Sequence, residues 1–237
     1  MALKPGHSKS RPLRVSPLSG RGSLSQILKL SWDTPWRARR NLLRILQAPF
    51  IRQALRMRGV SLGKQCRFFG MPSIYRFRGS RIEIGPGVEM RSSRKSNVLG
   101  LAHSVILTTL ARDAVIEIGE GVGLSGTTIC AARRITVGAF SIVGADTLIT
   151  DTDHHAIAGD RYRYSDEGVQ TAPVHIGNNV FIGARSIILK GTRIDDNAVV
   201  GAGAVVSGHV PEGAIVAGNP ARSMGNIADT DRTKGRA

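Results

Sequence analysis

The stretch that decides the fold is residues 176–210, which read IGNNVF IGARSI ILKGTR IDDNAV VGAGAV VSGHV. An aliphatic residue recurs at every sixth position: Ile176, Ile182, Ile188, Ile194, Val200 and Val206. Four places after each of these stands a small or β-branched residue: Val180, Ser186, Thr192, Ala198, Ala204 and Val210. Neither the period of a helix nor that of an ordinary strand gives this spacing. A period of six predicts a short strand and a turn, repeated as a solenoid.

The period continues upstream of this stretch. Its aliphatic or cysteine positions form two further runs, separated by one extra residue: Ile118, Leu124, Cys130, then Val137, Val143, Ile149. Glycine or asparagine follows several of the aliphatics, and both residue types suit the backbone angles of tight turns. Each coil of the solenoid is expected to stack on the next at about 4.8 Å, the spacing of paired strands.

The composition agrees with many turns and few helices. The chain has 237 residues, 28 of them glycine, and only 5% are aromatic. Two cysteines, Cys66 and Cys130, are too few for a disulfide framework, so we expect a cytoplasmic protein. No apolar run approaches the roughly 18–20 residues that cross a bilayer, and no secretory signal is expected.

The net charge of +16 is concentrated at one end of the chain. Residues 1–95 hold 21 lysines and arginines against three acids, whereas residues 96–237 hold 12 against 14. Residues 1–30 are basic and rich in serine, proline and glycine, and they contain few large apolar groups. Such a segment buries too little surface to offset its ordering entropy, which predicts a disordered basic tail.

Residues 31–59 are predicted to form a basic amphipathic helix that begins at Thr34-Pro35, ends at Gly59, and is kinked or split by Pro49. Its expected apolar face consists of Leu43, Leu46, Phe50, Ala54 and Met57. Two interpretations stay open. This face packs on the solenoid, or residues 1–58 make peripheral contact with an anionic inner membrane surface. No nucleic-acid partner is expected, because the sequence contains no recognisable nucleic-acid-binding module.

The repeat stops between Ile149 and Ile176, which predicts an inserted loop over residues 150–175. Its start carries two acids and two histidines: Asp151, Asp153, His154 and His155. Loops that leave a solenoid often carry function. Acyl transfer to a hydroxyl needs a general base, and histidine titrates near neutral pH. The loop is therefore the predicted catalytic segment, with residues 161–170 expected to shape the acceptor pocket.

Three segments strengthen a family resemblance: residues 149–157 (ITDTDHHAI), 174–184 (VHIGNNVFIGA) and 218–222 (GNPAR). Together with the repeat, they resemble the hexapeptide-repeat acyltransferases, in particular sugar O-acetyltransferases such as the maltose and galactoside enzymes. The resemblance covers residues 60–222, followed by a C-terminal tail at 223–237. It implies an all-β, single-stranded left-handed parallel β-helix. Left-handedness rests on the resemblance alone, because about 98% of parallel crossovers are right-handed.

The resemblance also implies an activity. We expect an acyl-CoA-dependent O-acetyltransferase with acetyl-CoA as co-substrate, no metal, and a sugar or a polysaccharide or lipopolysaccharide precursor as acceptor. The family is typically a homotrimer with active sites between neighbouring β-helices. Two alternatives stay open: an N-acyltransferase acting on an amino sugar, and a non-enzymatic trimeric scaffold. Direct transfer is expected, because neither cysteine lies in the loop and Cys130 falls on an inward-facing repeat position.

The resemblance places the general base on His155, with His154 as the competitor. Asp151 or Asp153 would hold the tautomer of the imidazole, or would only form the turn. The coenzyme assignments are the backbone N–H of Ala184 at the thioester oxygen, that of Ala202 at the pantetheine arm, Ser207 beside that arm, and Arg222 near the phosphates. Gly208 stands where the family often has a lysine, and Lys190 and Arg185 are the candidate replacements.

Overall fold

The computed structural model describes residues 35–156 and 167–229, with side chains from residue 43. The predicted tail at 1–30, residues 157–166 of the loop and residues 230–237 lie outside this part of the chain. One compact unit spans residues 40–237 and carries all the strands named below. The other unit covers residues 1–39, of which the described part is the start of helix α1 (Pro35–Met57).

The strands form three parallel sheets that the chain visits in turn. Sheet A contains β1 (Ser61–Leu62), β4 (Arg81–Ile84), β7 (Val115–Ile118), β10 (Arg134–Val137), β13 (Val174–Ile176), β16 (Arg193–Ile194) and β19 (His209–Val210). Sheet B contains β2 (Arg67–Phe69), β5 (Glu89–Arg91), β8 (Gly123–Ser125), β11 (Ile142–Val143), β14 (Phe181–Ile182), β17 (Val199–Val200), β20 (Ala214–Ala217) and β21 (Arg222–Asn226). Sheet C contains β3 (Ser73–Tyr75), β6 (Ile106–Thr109), β9 (Thr128–Ala131), β12 (Leu148–Thr150), β15 (Ile187–Ile188) and β18 (Val205–Val206).

The repeat residues fill the core of this triangular coil. Each strand from β1 to β20 pairs in parallel with the strand one coil away, so that Val143 lies between Leu124 and Ile182. All twelve predicted aliphatic or cysteine positions from Ile118 to Val206 are buried. The six small or β-branched positions that follow Ile176 and its repeats are buried as well. The predicted all-β solenoid is therefore confirmed, and its core is a set of aliphatic stacks.

The register differs from the prediction at one coil. Ile129 pairs with Ile149 and is fully buried, so Ile129 occupies the stack position that the sequence pattern gave to Cys130. Cys130 pairs instead with Thr150. Ile129 follows Leu124 by five residues and precedes Val137 by eight, so the extra length of this coil lies after Ile129. Cys130 is still buried, at 8% exposure.

Helix α1 packs with a different face from the predicted one. Its buried residues are Ile51 and Leu55, which join the core of the first coil. Leu46, Phe50 and Met57 of the predicted packing face are exposed, at 59%, 77% and 77%. The prediction was wrong because α1 carries apolar residues on two faces, and only contact with the coil selects between them. The helix is also not split at Pro49.

Two further features were missed by the sequence pattern. A second excursion, residues 92–105, separates β5 from β6 at the corner between sheets B and C. The expected C-terminal tail begins as strand β21, which turns back and pairs antiparallel with β20. This hairpin covers the last coil of sheet B, as α1 covers the first coil. Both ends of the solenoid core are thereby shielded from water, which repeat folds require.

Candidate active site

The inserted loop leaves the coil through a narrow neck. β12 ends at Thr150 in sheet C, and β13 begins at Val174 in sheet A, so the loop emerges from the C–A corner. Thr152 and Thr171 form an antiparallel bridge across its base. The N–H of Asp153 donates to Gln170 at 3.1 Å, and the N–H of Ala172 donates to Asp151 at 2.9 Å. The two ends of the loop are therefore held together, and the neck has a defined geometry.

Asp151 anchors this neck to the coil before it. Its side chain is fully buried, and the carboxylate accepts backbone N–H bonds from Ala132 at 2.6 Å and from Arg133 and Arg134 at 2.7 Å each. Three donors satisfy a buried charge and fix the turn that leads into β10. This arrangement favours the turn-forming alternative for Asp151 over a direct role at the histidines.

Asp153 has a different environment. Its Oδ1 forms a 2.9 Å ion pair with Nζ of Lys190, and its side chain is 18% exposed. Its Oδ2 is buried and accepts no hydrogen bond within the described part of the chain. Lys190 lies in the turn after β15, at the same C–A corner one coil further on. Asp153 therefore has one carboxylate oxygen without a hydrogen bond in the described part of the chain.

The two histidines sit at the outer end of the neck, and both are exposed. His154 has a backbone φ of +60°, and its N–H donates to Oγ1 of Thr152 at 3.1 Å. Its Nε2 lies 3.1 Å from Oγ1 of Thr150, so the ring of His154 is tied back to the coil. Thr150 and Thr152 were missed as site residues. Their alternation with aspartates, typical of side-chain-capped turns, was the available signal.

The predicted coenzyme residues lie along sheet C. Ala184 and Ala202 occupy the B–C corner on successive coils, whereas Ser207 follows β18 at the C–A corner. Neither the Ala184 nor the Ala202 N–H donates a hydrogen bond within the described part of the chain. A Cβ placed on Gly183 would lie 2.4 Å from the Ala202 nitrogen, so only glycine permits this close stacking.

Arg222 begins β21, beyond the last coil. Its side chain is exposed, and Nη1 donates to its neighbour's carbonyl, that of Ala221, at 3.0 Å. It follows the cis peptide bond between Asn219 and Pro220. The structure therefore does not bring Arg222 to the C–A corner where the histidines lie.

The corner positions separate the two halves of the expected site. From Ala184 at the B–C corner to Lys190 at the C–A corner the chain advances six residues, or roughly 20 Å if extended. Two clefts formed by described residues, of about 470 Å³ and 370 Å³, are lined by residues other than His154 and His155. The candidate bases, His154 and His155, thus lie at one end of the strands of sheet C, and the thioester-binding candidate Ala184 lies at the other end.

The cysteines are poor nucleophiles in this structure. Burial, with a smaller contribution from Asp151, raises the pKa of Cys130 to about 11, and burial also raises the pKa of Cys66. Thiolates, not thiols, attack thioesters, so both groups are inert near neutral pH. Among described residues, no three His, Cys, Asp or Glu side chains come together as a metal site. His209 instead pairs with Asp195 at 2.6 Å.

Comparison with known proteins bears on the repeat directly. The family described as hexapeptide repeat of succinyl-transferase matches residues 173–207. Galactoside O-acetyltransferase of Escherichia coli (strain K12) is 32% identical over 108 residues, which is 44% of this chain and 50% of that protein. Residues 173–207 therefore match a hexapeptide repeat, and the chain is similar to acetyltransferases over part of its length.

Two further proteins extend the comparison. The 2,3,4,5-tetrahydropyridine-2,6-dicarboxylate N-acetyltransferase of Staphylococcus aureus (strain JH9) is 43% identical over 68 residues, 29% of this chain and 28% of that protein. The structure of the polysialic acid O-acetyltransferase OatWY gives a TM-score of 0.59 at 22% identity, covering 70% of this chain and 74% of that one. That likeness concerns the fold, and it confirms the left-handed β-helix class. The chain spans about half the length, or less, of the two curated relatives named here.

Proposed function

We propose that the protein is an acyl-CoA-dependent O-acetyltransferase that moves acetyl from acetyl-CoA to a hydroxyl of a sugar or glycan precursor. The observation that carries the proposal is the clamped neck, which holds two exposed histidines beside a carboxylate with one unbonded oxygen. Such a corner supplies a base, its orienting partner and solvent access together. The acetyltransferase names of the curated relatives support the reaction class.

In this proposal His155 is the general base. His154 is the competing candidate, and its Nε2 lies 3.1 Å from Oγ1 of Thr150. His155 removes the proton from the acceptor hydroxyl as that oxygen attacks the thioester carbonyl carbon. The carbon–sulfur bond then breaks, and His155 returns the proton to the leaving thiolate. Direct transfer is favoured over a cysteine-bound intermediate, since Cys130 keeps its proton near neutral pH.

We assign Asp153, and not Asp151, to orient the imidazole. The Asp151 carboxylate already accepts three backbone donors, whereas Oδ2 of Asp153 is unbonded in the described residues. Lys190 fixes the Asp153 carboxylate through the other oxygen. A carboxylate held in this way fixes the imidazole tautomer and stabilises the imidazolium that forms when the base accepts a proton.

We assign the coenzyme-binding site to the corners of sheet C. The N–H of Ala184 would donate to the thioester oxygen, the N–H of Ala202 and the Ser207 hydroxyl would bind the pantetheine arm, and Arg222 would serve the phosphates. Two of these backbone donors are unbonded in the described chain, which leaves them available to a ligand. Lys190 is committed to Asp153, so Arg185, which is exposed, is the better replacement for the missing family lysine.

A homotrimer would complete the site. Sheet B and the turn before β11 expose an apolar strip made of Phe140 at 59%, Ile142 at 55% and Phe181 at 49%. Ile142 and Phe181 are paired neighbours in adjacent strands, so the strip is continuous. Burial of such a strip against a second copy is favourable. It would also bring the C–A corner of one copy, with His154 and His155, to the B–C corner of another copy, with Ala184 and Ala202. Within one chain these two corners lie at opposite ends of the strands of sheet C.

Contact with an anionic membrane surface is a further part of this proposal. The exposed face of α1 displays Leu46, Phe50 and Met57, and residues 1–58 belong to the strongly basic part of the chain. Basic apolar helices of this kind lie in the plane of a lipid surface. No helix among the described residues combines the length and the apolarity needed to cross a bilayer. Such attachment would bring the enzyme to lipid-linked sugar acceptors.

The deciding experiment measures thiol release from acetyl-CoA with panels of sugars, amino sugars and lipid-linked glycans. His155→Ala should lower kcat by about 10²–10⁴-fold with little change in coenzyme affinity. His154→Ala is the matched control and should be the milder change. Full activity in both variants would refute the mechanism. Turnover of amino sugars alone would favour N-acyl transfer, which the 43% identical N-acetyltransferase segment keeps in contention.

A further inference from the structure

A basic cleft lies between α1 and the first coil, at the far end of the solenoid from Arg222. It has a volume of about 370 Å³ and is lined by three arginines, Arg44, Arg52 and Arg67, together with Ile45, Ala48, Gln65 and Cys66. Pockets that hold small organic ligands have volumes of about 300–1,000 Å³. The cleft is thus large enough for more than a single ion or a water molecule.

The arginines in this cleft have hydrogen-bonding capacity that the protein does not use. Arg52 donates from Nη2 to the carbonyl of Cys66 at 2.8 Å, which holds its guanidinium in place. The Nε atoms of Arg44 and Arg52 are both buried, and neither has a partner within the described residues. Buried polar groups are normally bonded, so two unbonded donors on one wall indicate a missing acceptor.

The charge balance of the cleft points to the same missing group. Glu89, a carboxylate near this cleft, is shared between Arg67, at 2.9 Å, and Arg91. Arg44 and Arg52 have no carboxylate partner in the described residues. Burial, and next the charge of Arg67, lower the pKa of Arg44. An anion in the cleft would relieve both the desolvation and the repulsion.

We propose that this cleft binds a phosphate group, carried either by a lipid headgroup or by a soluble phosphate ester. Guanidinium groups recognise phosphate through N–H donors that lie in a plane, and the Nε–H groups of Arg44 and Arg52 have no partner among the described residues. Ile45, 60% exposed, and Ala48 supply apolar contact for the rest of the ligand. The site lies outside the acyl-transfer machinery and does not depend on that proposal.

The test uses the full chain and two double variants that remove equal charge, one within α1 and one at its C-terminal end. Arg44→Gln with Arg52→Gln empties the cleft of its free donors. Arg56→Gln with Arg58→Gln removes two exposed charges that do not line the cleft. Soluble binding is measured by calorimetry with glycerol 3-phosphate. Lipid binding is measured by co-sedimentation with phosphatidylcholine vesicles, with and without phosphatidylglycerol.

A loss of at least about tenfold in affinity, confined to the cleft variant, supports the site. The loss identifies a soluble ester if it occurs with glycerol 3-phosphate, and a headgroup if it occurs only with phosphatidylglycerol vesicles. Equal losses in the two variants, or no binding by wild-type protein in either assay, overturn the proposal. If the double variant fails to fold, Arg44→Lys keeps the charge but lacks the planar pair of donors. Wild-type affinity in folded Arg44→Lys would also overturn the proposal.

Discussion

Replacing Asp151 should destabilise the fold far more than replacing its neighbour Asp153. Asp151→Ala removes the acceptor of three backbone N–H bonds of 2.6–2.7 Å and leaves their donors at the start of β10. A hydrogen bond to a charged group contributes about 1.5–3 kcal/mol. Arg133 and Arg134 are exposed, so water can recover part of this loss. We therefore expect a net cost of about 3 kcal/mol, below the roughly 4.5 kcal/mol that three such bonds contribute at the low end of the range.

This cost can be measured as a shift in melting temperature. A domain of this size loses about 2–4 °C per kcal/mol, which gives a decrease of roughly 6–12 °C for Asp151→Ala. Circular dichroism or calorimetry at one fixed protein concentration is suitable, because oligomer stability depends on concentration. Asp151→Asn keeps the shape and one carbonyl oxygen, and it should fall between the wild type and the alanine variant.

Asp153→Asn is the matched control, because Asp153 lies in the same neck, two residues after Asp151. It loses a partly exposed ion pair with Lys190, and such pairs contribute about 1 kcal/mol or less. Its melting temperature should change by a few degrees at most, whereas its kcat should fall if Asp153 orients the base. Equal melting temperatures for Asp151→Ala and Asp153→Asn would show that the three backbone bonds do not anchor the neck. The structural reasoning about Asp151 would then be wrong.

Three further outcomes are expected. Cys130→Ala should keep activity and should make the free energy of unfolding less dependent on pH in alkali. The raised pKa of Cys130 favours the folded state below about pH 9, and this contribution disappears as the pH rises towards about 11. Phe181→Asp should reduce the mass seen by light scattering from about three chains to one and lower activity, and an active monomer would contradict the shared site. Leu46→Glu with Phe50→Glu should weaken binding to anionic vesicles. Substitution is preferable to deleting residues 1–58 because Ile51 and Leu55 cover the first coil.

The sequence determined the repeat, the helix and the loop because each signal is local. An inward aliphatic every six residues recurs on every coil, so one error in the pattern does not obscure the rest. Pro35 and Gly59 mark the region of α1 through their own backbone preferences, and the helix is observed at Pro35–Met57. The loop was visible as an interruption of the period, with His154 and His155 at its start.

Tertiary structure decided the points at which two local choices were equally good. Leu46 and Phe50 have the same helical spacing as Ile51 and Leu55, and only the shape of the first coil determines which pair is buried. Asp151 could have faced a histidine, but its partners are amides 17–19 residues earlier in the chain, which only the stacking of coils brings within reach. The six-residue period of the sequence does not predict these contacts, because they form between residues that lie on different coils.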